Sequence, residues 1–97
     1  MRVLSRKTLM EFWSKHPDSE QALRSWFSEV QKASWKRPVD IKKEHPTASF
    51  LADNRIVFNT KGNRYRLIVR IYYSYGQVFI RFIGTHSEYD NIDASTV

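Results

Sequence analysis

Residues 54–85 read NRIVFNTKGNRYRLIVRIYYSYGQVFIRFIGT, and this stretch decides the fold. Three runs within it are rich in β-branched and aromatic residues and predict three strands, at 54–60, 64–75 and 77–84. The dipeptides Lys61-Gly62 and Tyr75-Gly76 separate these runs and are short enough for hairpin turns. The stretch therefore predicts a three-stranded antiparallel meander.

Side chains alternate between the two faces of a strand, so the pattern assigns each residue to a face. One predicted face is almost wholly apolar and carries Ile56, Phe58, Tyr65, Leu67, Val69, Ile71, Tyr73, Val78, Ile80 and Phe82. The opposite face carries Arg55, Asn59, Arg64, Arg66, Arg70, Tyr72, Phe79 and Arg81. We expect the apolar face to be covered by other elements and the basic face to be open.

Two-residue turns would fix the register of these strands. They would place Arg70 opposite Arg81, and Val57 opposite Arg66. Like charges directly opposite each other destabilise a sheet, whereas a bound phosphate would reward the arrangement. A three-residue turn with a bulge is the alternative; it would separate Arg70 from Arg81 and keep the faces of the long strand.

The positive charge of the chain is concentrated in this stretch. The formal net charge of the chain is +6, and the stretch contains six basic residues and no Asp or Glu. A solvated face of an antiparallel sheet would also be charged. The clustering of arginines with aromatic residues, with no carboxylate between them, instead favours binding of an anionic partner.

The residues before this stretch predict the helices that cover the apolar face of the sheet. Residues 1–4 predict a short strand. A helix follows, with Leu9, Phe12, Trp13 and His16 on one stripe, and it ends at His16-Pro17.

A second helix is predicted to open at Asp18, which forms a capping-box pattern with Gln21. Its apolar stripe comprises Leu23, Trp26, Phe27, Val30 and Ala33. Residues 35–46 form a proline-bracketed connector with room for one helical turn, and residues 86–97 predict a loop or short helix. The chain is thus predicted to be one α+β domain over 1–97, with two helices on one face of a twisted antiparallel sheet in the order β-α-α-β-β-β.

Composition excludes several classes of function. The chain has no cysteine, so it has no disulfide framework and no thiolate metal site, which agrees with a reducing compartment. No glycine-rich phosphate loop and no metal-ligand spacing is present. No apolar run has the length of a membrane span, and no signal-peptide pattern opens the chain. We therefore expect no metal, no cofactor and no membrane partner.

The best candidate for acid–base chemistry is His86, which follows the third strand. Tyr89 and Asp90 come directly behind it. RNA supplies its own nucleophile, the 2′-OH, so such a site needs one group to remove a proton and one to return a proton. His86 fits either role, with Tyr89 or Lys61 as the weaker alternative, and Asp90 is expected to orient His86 or an arginine.

The arginine face supplies the remaining functions of an RNA-cleaving site. The charge that develops on the phosphate would be stabilised by Arg66, Arg70 and Arg81. Further contacts with RNA are expected from Lys61, Arg64, Arg55 and Asn59, and stacking on bases from Tyr72 and Phe79. Two alternatives stay open: a non-catalytic basic module that grips RNA or DNA, and a surface that docks an acidic protein.

Two segments, FNTKGNRYRLIVRI at 58–71 and VFIRFIGTHSEYD at 78–90, closely resemble the HigB family of bacterial toxins within the RelE-like superfamily. The resemblance implies a cytoplasmic, metal-independent endonuclease of messenger RNA, which in many relatives acts only in the ribosomal decoding site. It also implies a HigA-type antitoxin with a helix-turn-helix domain, through which alone operator DNA is bound. Arg66 matches a phosphate-contacting arginine of such toxins. His86 and the Tyr89-Asp90 pair fall where relatives carry catalytic side chains.

Overall fold

The computed structural model describes all 97 residues and contains one five-stranded mixed sheet and four α-helices. The elements in chain order are β1 (Arg2–Leu4), α1 (Arg6–Lys15), α2 (Glu20–Lys32), α3 (Pro38–Glu44), β2 (Ser49–Leu51), β3 (Arg55–Thr60), β4 (Tyr65–Tyr72), β5 (Gln77–Thr85) and α4 (His86–Asp90). The strand order across the sheet is β1-β5-β4-β3-β2. The predicted α+β class and the three consecutive strands are confirmed.

The predicted sheet was wrong in two respects. Strand β1 pairs with β5 in parallel, whereas the other neighbouring strands are antiparallel. A parallel pair is possible here because the whole helical segment and three strands separate β1 from β5 in the chain. The short edge strand β2 was also missed, since its three residues are too few to show an alternating pattern. No helix of the structure has the length and apolar character needed to cross a membrane.

The hydrophobic core lies between the helices and the face of the sheet that was predicted to be apolar. The sheet contributes Ile56, Phe58, Leu67, Val69, Ile71, Val78 and Ile80. The helices contribute Leu9, Trp13, Leu23, Trp26, Val30 and Ile41. The prediction that two helices cover the apolar face of the sheet is therefore confirmed, and the apolar stripes of α1 and α2 both face the sheet.

The predicted register was wrong because both turns are longer than two residues. Thr60 pairs with Tyr65, and Tyr72 pairs with Gln77, so each turn contains four residues. The first turn uses a left-handed backbone at Lys61 and Gly62. A shift of two residues preserves the faces of a strand, which is why the face assignment of β4 holds although its partners differ.

The longer second turn places Arg70 opposite Phe79 and so separates it from Arg81, its predicted partner, and Arg81 itself lies in a β-bulge of β5. Val69 pairs with Ile80 and Ile68 pairs with Phe82, so Arg81 is the extra residue between them. Beyond the bulge the faces exchange, and Ile83, not Phe82, packs against the helix-side core.

The ring of Phe82 instead lies over Gly84. A Cβ atom at Gly84 would come within 2.5 Å of this ring, so the close approach requires glycine.

The second face of the sheet is not open, as it had been predicted to be. Val57 and Ile68 are buried on this face, 3% and 0% exposed, although they lie outside the helix-side core. The end of the chain lies against Arg55 of β3, since Nε of Arg55 donates a hydrogen bond to the backbone oxygen of Val97 at 3.0 Å. The polar sequence of this tail gave no sign that it returns to the sheet.

Candidate active site

The candidate site lies where β5 ends and α4 begins. Thr85 and Glu88 form a reciprocal cap at this junction. Oγ1 of Thr85 accepts from the backbone N–H of Glu88 at 3.1 Å, and the Thr85 N–H donates to Oε1 of Glu88 at 2.8 Å. The latter hydrogen bond lowers the pKa of Glu88. The cap fixes the direction of α4 and thereby the position of His86, its first residue.

His86 and Asp90 are one helical turn apart and in contact. Nδ1 of His86 lies 2.9 Å from Oδ2 of Asp90, and each side chain is 59% exposed. An ionised carboxylate only accepts hydrogen bonds, so Nδ1 is the donor in this pair. The other ring nitrogen, Nε2, is then a proton acceptor. The predicted contact between Asp90 and His86 is confirmed.

Arg66 reaches the same site from β4. It lies opposite Gly84 of β5 in the sheet. Its guanidinium carbon is 6.0 Å from the ring centroid of Tyr89, which lies on α4 one turn beyond His86. Nη1 of Arg66 donates to the backbone oxygen of Asn63 at 2.7 Å, which holds the side chain against the turn.

Carboxylates divide the predicted anion-binding arginines into two groups. Arg55 and Arg70 lie opposite each other, and both contact Oδ2 of Asp53, at 3.1 and 2.9 Å. Arg66 and Arg81 form no ion pair. The prediction that no carboxylate interrupts the basic face was therefore wrong, because turns and tertiary contacts bring in acids from outside the 54–85 stretch.

Arg64 is the third arginine of the predicted basic face that contacts a carboxylate. It contacts Asp18, whose other oxygen accepts from the hydroxyl of Tyr65. The hydrogen bond from Tyr65, followed by that from Arg64, lowers the pKa of Asp18. The hydrogen bond to Asp18, followed by burial, raises the pKa of Tyr65. Asp18 thus ties the start of β4 to the helix layer and does not cap α2, which the sequence had predicted.

A second zone of the basic face lies further along β4. Arg70 is four residues from Arg66, which in a strand corresponds to about 13 Å. The guanidinium carbon of Arg70 is 5.4 Å from the ring centroid of Tyr72. Tyr72 and Phe79 meet edge to face with centroids 5.5 Å apart. The structure therefore brings Arg66, Tyr89, Asp90 and His86 together, and leaves Arg70, Arg81, Tyr72 and Phe79 in the second zone.

The remaining predicted contacts lie beside Arg66. Asn59 is its partner on β3, and Lys61 is exposed in the following turn. The sequence reasoning missed Asp53. The Asp53-Asn54 dipeptide was a usable signal, since both residues adopt the left-handed conformation typical of tight turns and bring Asp53 beside the first residue of β3.

Sequence comparisons relate the chain to a family of known proteins. Residues 19–92 match the sequence model of the HigB toxin family, described as the RelE-like toxic component of a toxin-antitoxin system. The chain is 27% identical over 92 residues to the mRNA interferase toxin HigB of Escherichia coli strain K12, covering 93% of this chain and 88% of that protein. It is 26% identical over 94 residues to the mRNA interferase HigB of Escherichia coli O6:H1 strain CFT073, covering 95% and 91%.

Proposed function

This chain belongs to the HigB family of RelE-like toxins, and from that premise we propose that it is an endoribonuclease that cleaves messenger RNA. The observation that carries the proposal is the contact between His86 and Asp90 beside the unpaired Arg66. A non-catalytic binding surface has no need of a histidine that is held in one tautomer and exposed to solvent.

The reaction uses the 2′-OH of the RNA as nucleophile. Nε2 of His86 removes the proton, the 2′-oxygen bonds to the adjacent phosphorus, and the bond from phosphorus to the 5′-oxygen breaks. The leaving oxygen takes a proton from Tyr89, which contacts Arg66. The products are a 2′,3′-cyclic phosphate and a 5′-hydroxyl. Arg66 stabilises the negative charge that builds up on the phosphate oxygens.

Side chains alone supply every group in this sequence of steps, so we propose that cleavage is independent of metal ions. Asp90 keeps His86 in the tautomer with a free Nε2 and stabilises the imidazolium after proton transfer. Arg70 lies about 13 Å from Arg66 along the strand and therefore acts on a flanking phosphate, as far as its ion pair with Asp53 permits. Arg81 also acts on a flanking phosphate.

The RNA extends from the active site towards the second zone of the basic face. Tyr72 and Phe79 offer ring surface for base stacking, and Arg81 offers an unpaired cation. At the active-site end of this path, Lys61 and Asn59 contact the RNA backbone beside Arg66. Arg64 and Arg55 take part only as far as their ion pairs with Asp18 and Asp53 permit.

The biological setting follows from the family. We propose that the toxin acts in the cytoplasm on messages that are being translated on the ribosome. A HigA-type antitoxin with a helix-turn-helix domain neutralises it, and operator DNA is bound only through that antitoxin. The family description as a toxic component of a toxin-antitoxin system supports the existence of an antitoxin partner.

A substrate with one altered sugar tests the chemistry. A synthetic message is prepared with a 2′-deoxy nucleotide on the 5′ side of the cleaved bond and compared with the all-ribose message, both bound to ribosomes. Cleavage of the ribose substrate alone, with a cyclic phosphate product, is expected. Cleavage of the deoxy substrate, or products that carry a 3′-hydroxyl, would contradict the proposed mechanism.

A further inference from the structure

Three buried polar atoms in the structure have no hydrogen-bond partner, and all three belong to residues that line one cavity. They are Nε1 of Trp26, Nε2 of His45 and Oγ1 of Thr60. Trp26 and Thr60 are only 4% and 5% exposed. Buried polar atoms are nearly always paired in folded proteins, because an unpaired one is costly. Three in one place indicate a site whose occupant supplies the missing partners.

The cavity lies away from His86 and Arg66, although Asn59 and Lys61, which are proposed to contact RNA, also line it. It lies between α2 and the end of β3 and has a volume of about 180 Å³. Thr60 belongs to the helix-side face of the sheet, as do Ile56 and Phe58, whereas Arg66 belongs to the opposite face. Glu29 and Lys61 also line the cavity, so acidic and basic groups are both present.

The unpaired atoms define the chemistry of the occupant. The indole N–H of Trp26 only donates, so the occupant must offer an acceptor. Nε2 of His45 is 3.8 Å from Oε2 of Glu29, too far for a hydrogen bond, so an occupant that can both donate and accept would satisfy it in either ring tautomer. A carboxylate would satisfy the indole but would add a second negative charge beside Glu29. A carboxamide offers both a carbonyl oxygen and an N–H₂ group.

We propose that this cavity receives an Asn or Gln side chain of the antitoxin. The carboxamide oxygen accepts from Trp26, its N–H₂ group donates to Nε2 of His45, and Thr60 completes the pairing. The volume is below that of pockets for small-molecule ligands, roughly 300–1,000 Å³, and suits one side chain. Glu29 disfavours a polynucleotide at this position. The inference rests on the proposed antitoxin partner and not on the cleavage reaction.

The Trp26 indole provides a direct reporter of occupancy. In ¹⁵N-labelled toxin, its N–H resonance is assigned by its absence from the Trp26→Phe variant. Addition of purified antitoxin should shift this resonance, and acetamide, as the carboxamide probe, should shift it more than acetate does. A resonance that antitoxin does not move, that RNA alone moves, or that acetate moves more than acetamide would overturn the proposal.

Affinity for the antitoxin gives the second readout. Thr60→Val keeps the shape of the side chain and removes the hydroxyl, so it should weaken antitoxin binding roughly tenfold, and Trp26→Phe should do at least as much. RNA cleavage by either free variant and the melting temperature of Thr60→Val should stay unchanged. Unaltered antitoxin affinity in both variants would mean that the cavity holds solvent only. If the wild-type protein itself cleaved no RNA, the proposed function would be contradicted. The measurement of antitoxin affinity would still decide whether the cavity binds the antitoxin.

Discussion

Nδ1 of His86 lies 2.9 Å from Oδ2 of Asp90, so a carboxylate fixes which nitrogen of the imidazole is free to react. Replacing Asp90 by Asn removes the charge and allows the ring to adopt either tautomer. We expect kcat for RNA cleavage to fall about 10- to 100-fold in Asp90→Asn, with little change in KM, because general base catalysis contributes on the order of 10²–10⁴-fold. Single-turnover cleavage measures this.

Asp93→Asn is the matched control for that variant. Asp93 carries the same charge three residues further on, and its carboxylate bonds only to Ser95. The Asp93→Asn variant should cleave RNA at the wild-type rate. Equal losses in Asp90→Asn and Asp93→Asn would show that net charge matters and that orientation of His86 does not.

Arg81 is placed outside the ladder by the bulge and has no acidic partner, so it is free to bind a phosphate. The dependence of RNA affinity on salt should therefore weaken in Arg81→Ala. The slope of log K against log salt is expected to fall in magnitude by about 0.7, the value for one phosphate contact on a single strand. Fluorescence anisotropy with a catalytically inactive background measures it.

Lys32→Ala serves as the comparison, since it removes a positive charge from the last turn of α2 in the helix layer. The slope of log K against log salt for Lys32→Ala should match that of the wild type. Equal changes in Arg81→Ala and Lys32→Ala would contradict a defined RNA path over the second zone.

Leu67 is fully buried between the sheet and the helices. Leu67→Ala should lower the free energy of unfolding by about 2–5 kcal/mol through lost burial and the cavity that remains. Met10 is 45% exposed, so Met10→Ala should change it by less than about 0.5 kcal/mol. Denaturant unfolding of both variants checks this. A mild effect of Leu67→Ala would contradict the tight packing of this side chain between the sheet and the helices.

The pH dependence of stability should reveal the contact of Asp18 with Tyr65 and Arg64. Because folding lowers the pKa of Asp18 below its ordinary value of 3.8, the ionised carboxylate stabilises the fold above that value. This contribution is lost as the pH falls through 3.8 towards the lower folded pKa. The melting temperature of Asp18→Asn should therefore lie below that of the wild type at pH 6, and the difference should shrink towards pH 2. A difference that is constant with pH would contradict the contact.

The faces of the sheet could be predicted from sequence because they depend on a local period of two. The register could not, since it depends on the turns: a left-handed backbone at Lys61 lengthens the first, and a bulge at Arg81 exchanges the faces beyond it. Asp90 was expected to orient His86 or an arginine because it follows His86 closely in the chain, and α4 places it one turn from His86 and in contact with it. The pairing of Arg64 with Asp18 spans 46 residues and depends on tertiary packing, so no local pattern signals it.

The central claim, that the chain cuts translated messages with His86 and Arg66, is tested most directly by mapping 5′ ends. Wild type, His86→Ala and Arg66→Ala are induced alone in growing cells at equal soluble levels, and the 5′ ends of cellular messages are sequenced. We predict growth arrest with new ends inside translated regions for the wild type, and neither effect for the two variants. Soluble wild-type protein that produces no new ends, or variants that cut as the wild type does, would contradict the claim.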